Sequence, residues 1–344
     1  MKKVNVAIVG ATGAVGTKIL EKLLERNFPM NSIKLLASKR SAGMEITANG
    51  QKFIVEETVP ESFDGIDIAF FSAGGNISKM FVSEAVDRGA VVIDNTSAFR
   101  MTADIPLVVP EVNPEALKRH SGIIANPNCS TIQMVTALEP IRQKLGLSRV
   151  IVSTYQAVSG AGIEAIDELQ KQSAEFESRA TNEANLLPTG SGERFYPIAF
   201  NAIPQIDAFD TSGYTLEELK MINETKKIFE NNKLQVSATC VRIPVVSGHS
   251  ESIYFEIEND DTSVADIQAL LENAPGIVLQ DNPDKQSYPM ALFAEGEDAV
   301  FVGRIRKDPD HPNGFHMWVV TDNLLKGAAL NSVQIAECLI NEKG

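Results

Sequence analysis

Val4-Asn5-Val6-Ala7-Ile8-Val9-Gly10-Ala11-Thr12-Gly13-Ala14-Val15-Gly16 decides the fold class. The β-branched run from Val4 to Val9 predicts a buried parallel strand. It runs into glycines at 10, 13 and 16. A helical stretch follows, with Ile19, Leu20, Leu23 and Leu24 on one face and Lys18, Glu21, Lys22 and Glu25 on the other. Strand, glycine turn and helix form the context that a dinucleotide site requires. The glycines free φ, let the backbone approach a pyrophosphate and set its charge at a helix N-terminus. A bare structural turn would use the same glycines, so the spacing leaves both readings open.

Working outward, apolar runs at 33–37, 66–71 and 91–93 read as further strands, the last after a helix stop at Arg88-Gly89. Strands alternating with helices predict a doubly wound, Rossmann-type α/β domain with right-handed crossovers. The second half changes character. Strands at 150–158, 236–246, 252–257, 300–306 and 316–320, with helices at 163–176, 216–231 and 264–273, predict an α+β domain on a mixed sheet. The tail, 323–342, has Leu324, Leu325, Ala328, Ala329, Ser332 and Val333 at helical spacing and is expected to pack back on the first domain. The expected division is 1–128 with 323–344 for the cofactor, and 129–322 for catalysis and dimerisation.

The 344 residues are 44% apolar and 22% charged, enough for about two cored domains and incompatible with wholesale disorder. A net charge of −14 disfavours nucleic acid and anionic membranes as partners. Any anionic substrate would need a few cations focused in a cleft. Three cysteines, Cys129, Cys240 and Cys338, argue against a disulfide framework and for a reducing compartment. The apolar run at the start is short, contains Asn5 and ends in a glycine turn, unlike a signal peptide. A soluble, cytoplasmic protein is expected.

Cofactor choice turns on the end of the second strand. An NAD site places Asp or Glu there for the ribose 2′-hydroxyl. This chain has Ser38-Lys39-Arg40-Ser41, cationic and hydroxylated with no acid, which favours the 2′-phosphate of NADP. A solvated basic loop is the alternative.

Asn126-Pro127-Asn128-Cys129-Ser130-Thr131 breaks a strand and starts a helix, so Cys129 falls at a helix N-terminus. The helix dipole there favours a thiolate nucleophile. An inert buried thiol is the ordinary role of a lone cysteine, and it suits Cys240 and Cys338. Of four histidines, His120, His311 and His316 have adequate structural explanations. His249, in Ser247-Gly248-His249-Ser250, is placed on a loop between strands, from which it could relay protons. Arg100 lies just past a parallel strand, where doubly wound folds bind ligands. Arg242 sits among apolar neighbours, which calls for an anionic substrate or an internal ion pair.

Together these segments resemble the aspartate-β-semialdehyde dehydrogenase family along nearly the whole chain. The resemblance rests on residues 10–16, on Asn126-Pro127-Asn128-Cys129-Ser130, on Gln156-Ala157-Val158-Ser159-Gly160-Ala161-Gly162, on Arg242-Ile243-Pro244-Val245 and on residues 322–329. It implies NADPH-dependent reduction of L-4-aspartyl phosphate to L-aspartate 4-semialdehyde and phosphate, by a homodimer without a metal. By the same resemblance Cys129 would form the acyl thioester, His249 would be the acid–base group and Gln156 would orient the acyl group. Arg242 would hold the substrate α-carboxylate and Glu217 its amino group, with Asn128 also on the substrate. Arg100 and Lys220 would bind phosphate. NADP would contact Gly10, Thr12, Gly13, Ala14, Val15, Gly16, Ser38, Arg40, Ser41, Ser159, Gly160 and Asn323. Two other readings compete, and a third, an apolar-ligand carrier, is poorly supported by so many polar loop motifs. An N-acetyl-γ-glutamyl-phosphate reductase shares the cysteine chemistry, but its substrate has no free ammonium for Glu217. A nucleotide-binding regulator could use Cys129 as a redox sensor.

Overall fold

Asn5 and Ala7 interleave with Val4, Val6 and Ile8 along the first strand, and its side chains project alternately to two different cores. Val6 and Ile8 join one cluster, Ala7 and Val9 the other, and all four are fully buried. Burying a side chain of the Val or Ile type stabilises the fold by about 1.5–3 kcal/mol relative to exposure. A strand with two apolar faces is therefore fixed at the centre of a sheet. The computed structural model describes residues 3–179, 181–190, 192–259 and 261–342. The chain divides into two compact units, Met1–Asn128 with Gly327–Gly344, and Cys129–Lys326.

In the first unit β1 (Val4–Val9) leads to α1 (Ala14–Glu25) and β2 (Met30–Ala37). Then come β3 (Glu45–Ala48), β4 (Gln51–Glu57), β5 (Ile68–Phe71), α2 (Gly75–Asp87), β6 (Val91–Asp94) and β7 (Ile123–Ala125). The strand order is β3-β4-β2-β1-β5-β6-β7, parallel except for the β3–β4 pair. One core gathers Ile19, Leu20 and Leu23 of α1 with Val333, Ala336 and Leu339 of the C-terminal helix, Leu330–Glu342. The other gathers Val82 and Ala85 of α2. Helices thus cover both faces, as doubly wound folds require. Arg26 and Glu337 add a bidentate pair at 2.8 Å between α1 and the C-terminal helix.

Two details depart from the sequence reading. The hairpin β3–β4 was not expected, yet it turns on Asn49-Gly50 with φ of +48° and +74°. Two positive φ angles in succession make the type I′ turn that Asn-Gly favours. The tail is not one helix from 323. Residues Leu325–Ala329 form a wider, π-type turn before the regular helix begins at Leu330.

In the second unit α3 (Cys129–Leu145) precedes β8 (Arg149–Gln156), α4 (Ile163–Ala174), α5 (Leu216–Ile228), β9 (Gln235–Arg242) and β10 (His249–Glu256). Then follow α6 (Val264–Glu272), β11 (Ile277–Leu279), β12 (Val300–Lys307) and β13 (Gly314–Thr321). Their order is β11-β12-β13-β10-β8-β9. The three central pairings are antiparallel and the β11–β12 and β8–β9 pairings parallel, so the sheet is mixed. Among the described residues no helix is long and apolar enough to cross a membrane.

Candidate active site

The first unit carries the glycine turn. Gly10 has φ of +87°, and a Cβ there would stand 2.8 Å from the Ala73 nitrogen. At Gly16 a Cβ would run into the carbonyl oxygen of Gly10. Both positions exclude any other residue. Gly13 has an ordinary φ of −84° and is the N-cap of α1, where no side chain caps the helix. The turn is therefore tight at its ends, and its exposed midpoint brings bare backbone to a helix N-terminus. This cradle fits a pyrophosphate. At the end of β2, Ser38, Lys39 and Arg40 are exposed and Ser41 is half-buried. Arg100 is buried, its Nε donating to the Asn126 carbonyl at 2.9 Å and its Nη2 to the Asn95 carbonyl at 2.7 Å. Asn128 is buried as well.

The second unit brings together most of the residues expected to do chemistry. Cys129 is the first residue of α3 and half-buried. Gln156 and Arg242 end the paired strands β8 and β9 side by side. His249 is the first residue of β10, fully buried within the sheet, and not on an exposed loop. Gly248 makes the turn just before it, with φ of +89°. Ala157 holds two of these groups at once. Its N–H donates to His249 Nδ1 at 3.1 Å, and its carbonyl accepts from Arg242 Nη1 at 2.6 Å. With Nδ1 used as an acceptor, the neutral imidazole carries its proton on Nε2. A Cβ added at Gly160 would lie 3.1 Å from Arg242 Nη1 and 3.3 Å from His249 Nε2. Gly160 thus leaves open the space that both side chains face.

Gln156 Nε2 donates to Thr154 Oγ1 and to Glu217 Oε1, each at 3.2 Å. Glu217 and Glu218 are neighbours on α5 with separate duties. Glu218 closes a capping box with Thr215 and accepts the Cys240 N–H at 3.0 Å. That leaves Glu217 to face Gln156. Lys220 Nζ lies 2.9 Å from Asp207 and 3.3 Å from Glu217, so its charge is already balanced by carboxylates. Ser159 and Asn323 bond side chain to side chain, and Asn323 Oδ1 accepts the Gly248 N–H at 3.0 Å.

Burial dominates the electrostatics. It pulls the Arg242 guanidinium below its ordinary value, against the opposing pull of Glu217, Cys129 and Cys240. Burial, reinforced by the Arg242 charge, holds His249 well below 6.5. The Cys240 thiol is pushed up by burial and rests against Met221, which suits an inert core thiol. Among the described residues Arg242 Nε and His249 Nε2 have no hydrogen-bond partner although both are buried. An anionic oxygen would satisfy them.

Sequence reasoning overlooked Ala157 as the shared anchor, Asp207 as a partner of Lys220, and the buried pair Gln133 and Glu251. Of these, Glu251 was legible in the alternation of His249, Glu251, Ile253 and Phe255, all of which point inward on β10.

Residues 5–120 match the family domain described as "Semialdehyde dehydrogenase, NAD binding domain", and residues 138–326 match "Semialdehyde dehydrogenase, dimerisation domain". The aspartate-semialdehyde dehydrogenase of Bacillus subtilis (strain 168) is 62% identical over 97% of each chain. The crystal structure of aspartate semialdehyde dehydrogenase II from Vibrio cholerae, complexed with ASA, superposes with a TM-score of 0.93 at 46% identity over 99% of both chains. The enzyme from Candida albicans, solved with NADP, gives 0.76 at 27% identity over 98% of each. With both units matched and the relatives covered end to end, the chain belongs to the semialdehyde dehydrogenase family.

Proposed function

We infer that this chain is an aspartate-semialdehyde dehydrogenase, a cytoplasmic homodimer that reduces L-4-aspartyl phosphate to L-aspartate 4-semialdehyde. The observation that carries this reading is the convergence on one buried arginine, Arg242, of the half-buried thiol of Cys129 and the carboxylate of Glu217, a set that suits an α-amino acid. The free ammonium that Glu217 would hold distinguishes this substrate from an N-acetylated one.

In the proposed reaction the Cys129 thiolate, favoured by the start of α3, attacks the acyl carbon. The bond from that carbon to the phosphate oxygen breaks, phosphate leaves and a thioester remains on Cys129. NADPH, when bound, supplies the hydride that reduces the acyl carbon. The carbon–sulfur bond then breaks, aldehyde departs and the thiolate is restored. Arg242 binds the α-carboxylate, Glu217 the ammonium, and Gln156 is steadied by Glu217 to orient the acyl group. His249 donates a hydrogen bond from Nε2 to oxygen as negative charge builds there. Lys220 is assigned to the anionic end of the substrate, for which it would exchange its carboxylate partners Asp207 and Glu217 for phosphate. In the first unit, Thr12 to Gly16 cradle the pyrophosphate and Ser38, Arg40 and Ser41 receive the 2′-phosphate. Exposed apolar side chains of the second unit, among them Ile151, Met290, Leu292 and Phe293, support its role in dimerisation.

The deciding assay follows NADPH formation from aspartate semialdehyde, NADP and phosphate, omitting each in turn. Formation that requires all three supports the reading. Faster turnover of N-acetylglutamate semialdehyde would replace it.

Two further results are expected. Arg40→Ala should lower the preference for NADP over NAD by about ten- to a hundredfold, the loss of one charge-assisted contact to a phosphate. An unaltered ratio of kcat/KM values would place the 2′-phosphate elsewhere. The second concerns pH. His249 is held below 6.5, so the unfolded chain takes up its proton first as pH falls. The stability that the buried neutral ring contributes is present above 6.5 and is lost below it. Wild type should therefore lose melting temperature below pH 6.5 faster than His249→Asn does. The acid limb of kcat/KM should fall below 6.5 as well, because imidazolium would have to break the bond from Ala157. A limb centred above 6.5 would contradict this assignment.

A further inference from the structure

Two fully buried polar side chains of the second unit have no part in the chemistry assigned above. Glu251 lies two residues beyond His249 on β10, opposite Thr154 of β8 and Val319 of β13. Gln133 lies one helical turn beyond Cys129, so both residues project from the same side of α3. The Gln133 amide acts directly on the Glu251 carboxyl, favouring its charged form. Yet among the described residues neither carboxyl oxygen and neither amide atom has a hydrogen-bond partner, so the pair face each other just outside bonding geometry. Burial, the larger effect, and the charge of Glu217 both raise the Glu251 carboxyl well above the usual carboxylate range. Glu217 of α5 and Cys240 of β9 are the titratable groups coupled to it.

A neutral carboxylic acid and a primary amide are complementary. The acid O–H donates to the amide oxygen, and the amide N–H donates to the acid carbonyl. A carboxylate could only accept, and would leave the amide oxygen against an anion. A small side-chain rotation would therefore satisfy every polar atom of the protonated pair, and only of the protonated pair.

We propose that Glu251 is a positioning residue for Cys129, tying the first turns of α3 to the strand that carries His249 by way of Gln133. The inference rests on Cys129 being the nucleophile. A link one turn from the thiol on one side and two residues from the imidazole on the other fixes the spacing between the helix and the strand. Misplacing a reacting group by about 1 Å costs up to roughly a hundredfold in rate.

The test uses the full chain and four variants: Glu251→Leu, Gln133→Met, the two combined, and Glu251→Gln. The readouts are kcat, KM for aspartate semialdehyde, the rate at which iodoacetamide alkylates Cys129, and melting temperature against pH. The apolar variants are expected to lower kcat and alkylation together by about tenfold or more, with KM nearly constant. Glu251→Gln should recover to within about threefold of wild type, because two amides reproduce both bonds. The melting temperature of Glu251→Gln relative to wild type should climb as pH rises above 4.5. A buried acid with a raised pKa contributes most below 4.5 and loses that contribution as pH rises. If Glu251→Leu does not fold, the combined variant decides, since it leaves no buried polar group unmatched. Wild-type kcat and alkylation in the combined variant would overturn the proposal. So would Glu251→Gln being as slow as Glu251→Leu, which would mean that a charged carboxylate is required. Cys129→Ala, measured alongside, separates the two failures: turnover surviving there would overturn the nucleophile and with it the positioning role, whereas turnover lost there with a wild-type combined variant would overturn the positioning role alone.

Discussion

Cys129→Ala is expected to reduce turnover by roughly 10⁴-fold or more, the scale on which removing a covalent nucleophile acts. NADPH binding, followed by its fluorescence, should change little. The glycine turn at Gly10 to Gly16 lies in the first unit, whereas Cys129 is the first residue of α3 in the second. Mass spectrometry of the quenched wild type should find an aspartyl adduct on the peptide containing Cys129 and none on the variant. Residual turnover near the wild-type level would exclude a thioester at this sulfur. A variant that kept a regulatory output without any dehydrogenase activity would revive the redox-sensor reading.

Arg242→Lys should raise the KM for aspartate semialdehyde by about ten- to a hundredfold, with a smaller change in kcat. An ammonium cannot present the planar fork that pairs with a carboxylate, and one charge-assisted hydrogen bond contributes about 1.5–3 kcal/mol. The buried guanidinium already spends Nη1 on Ala157, at 2.6 Å, while its Nε has no partner among the described residues. The substitution therefore removes the very donor left for substrate. Thermal melting in the absence of substrate separates this effect from a damaged core. An unchanged KM would take Arg242 out of the carboxylate site.

The fold was legible where one residue type answers one physical demand. Val6 and Ile8 facing one core while Ala7 and Val9 face another mark a central parallel strand, and Gly10 and Gly16 mark backbone too close for a side chain. Cys129 was legible because Pro127 and the asparagines around it end one element and begin another. The β3–β4 hairpin was missed although Asn49-Gly50 announces it. His249 was expected on a loop because Gly248 precedes it. The register of β10 against β13, with His249 opposite Thr321, draws it into the sheet. Contacts between residues far apart in the chain, such as Glu217 with Gln156 or Ala157 with His249, follow only from the sheet order. No local pattern encodes them.

The alternation along β10 bears on how such a chain can vary through evolution. His249 and Glu251 look inward, while Ser250 and Ser252 belong to the opposite face, opposite Tyr155 and Ser153 of β8. Removing a single codon from this strand would invert it, turning the imidazole and the acid away from the thiol and seating two hydroxyls in their place. At the outward positions of this strand the lineage is therefore freer to respell than to re-measure, whereas the Asn49-Gly50 hairpin, far from any nucleophile in sequence, can lengthen or shorten without that penalty.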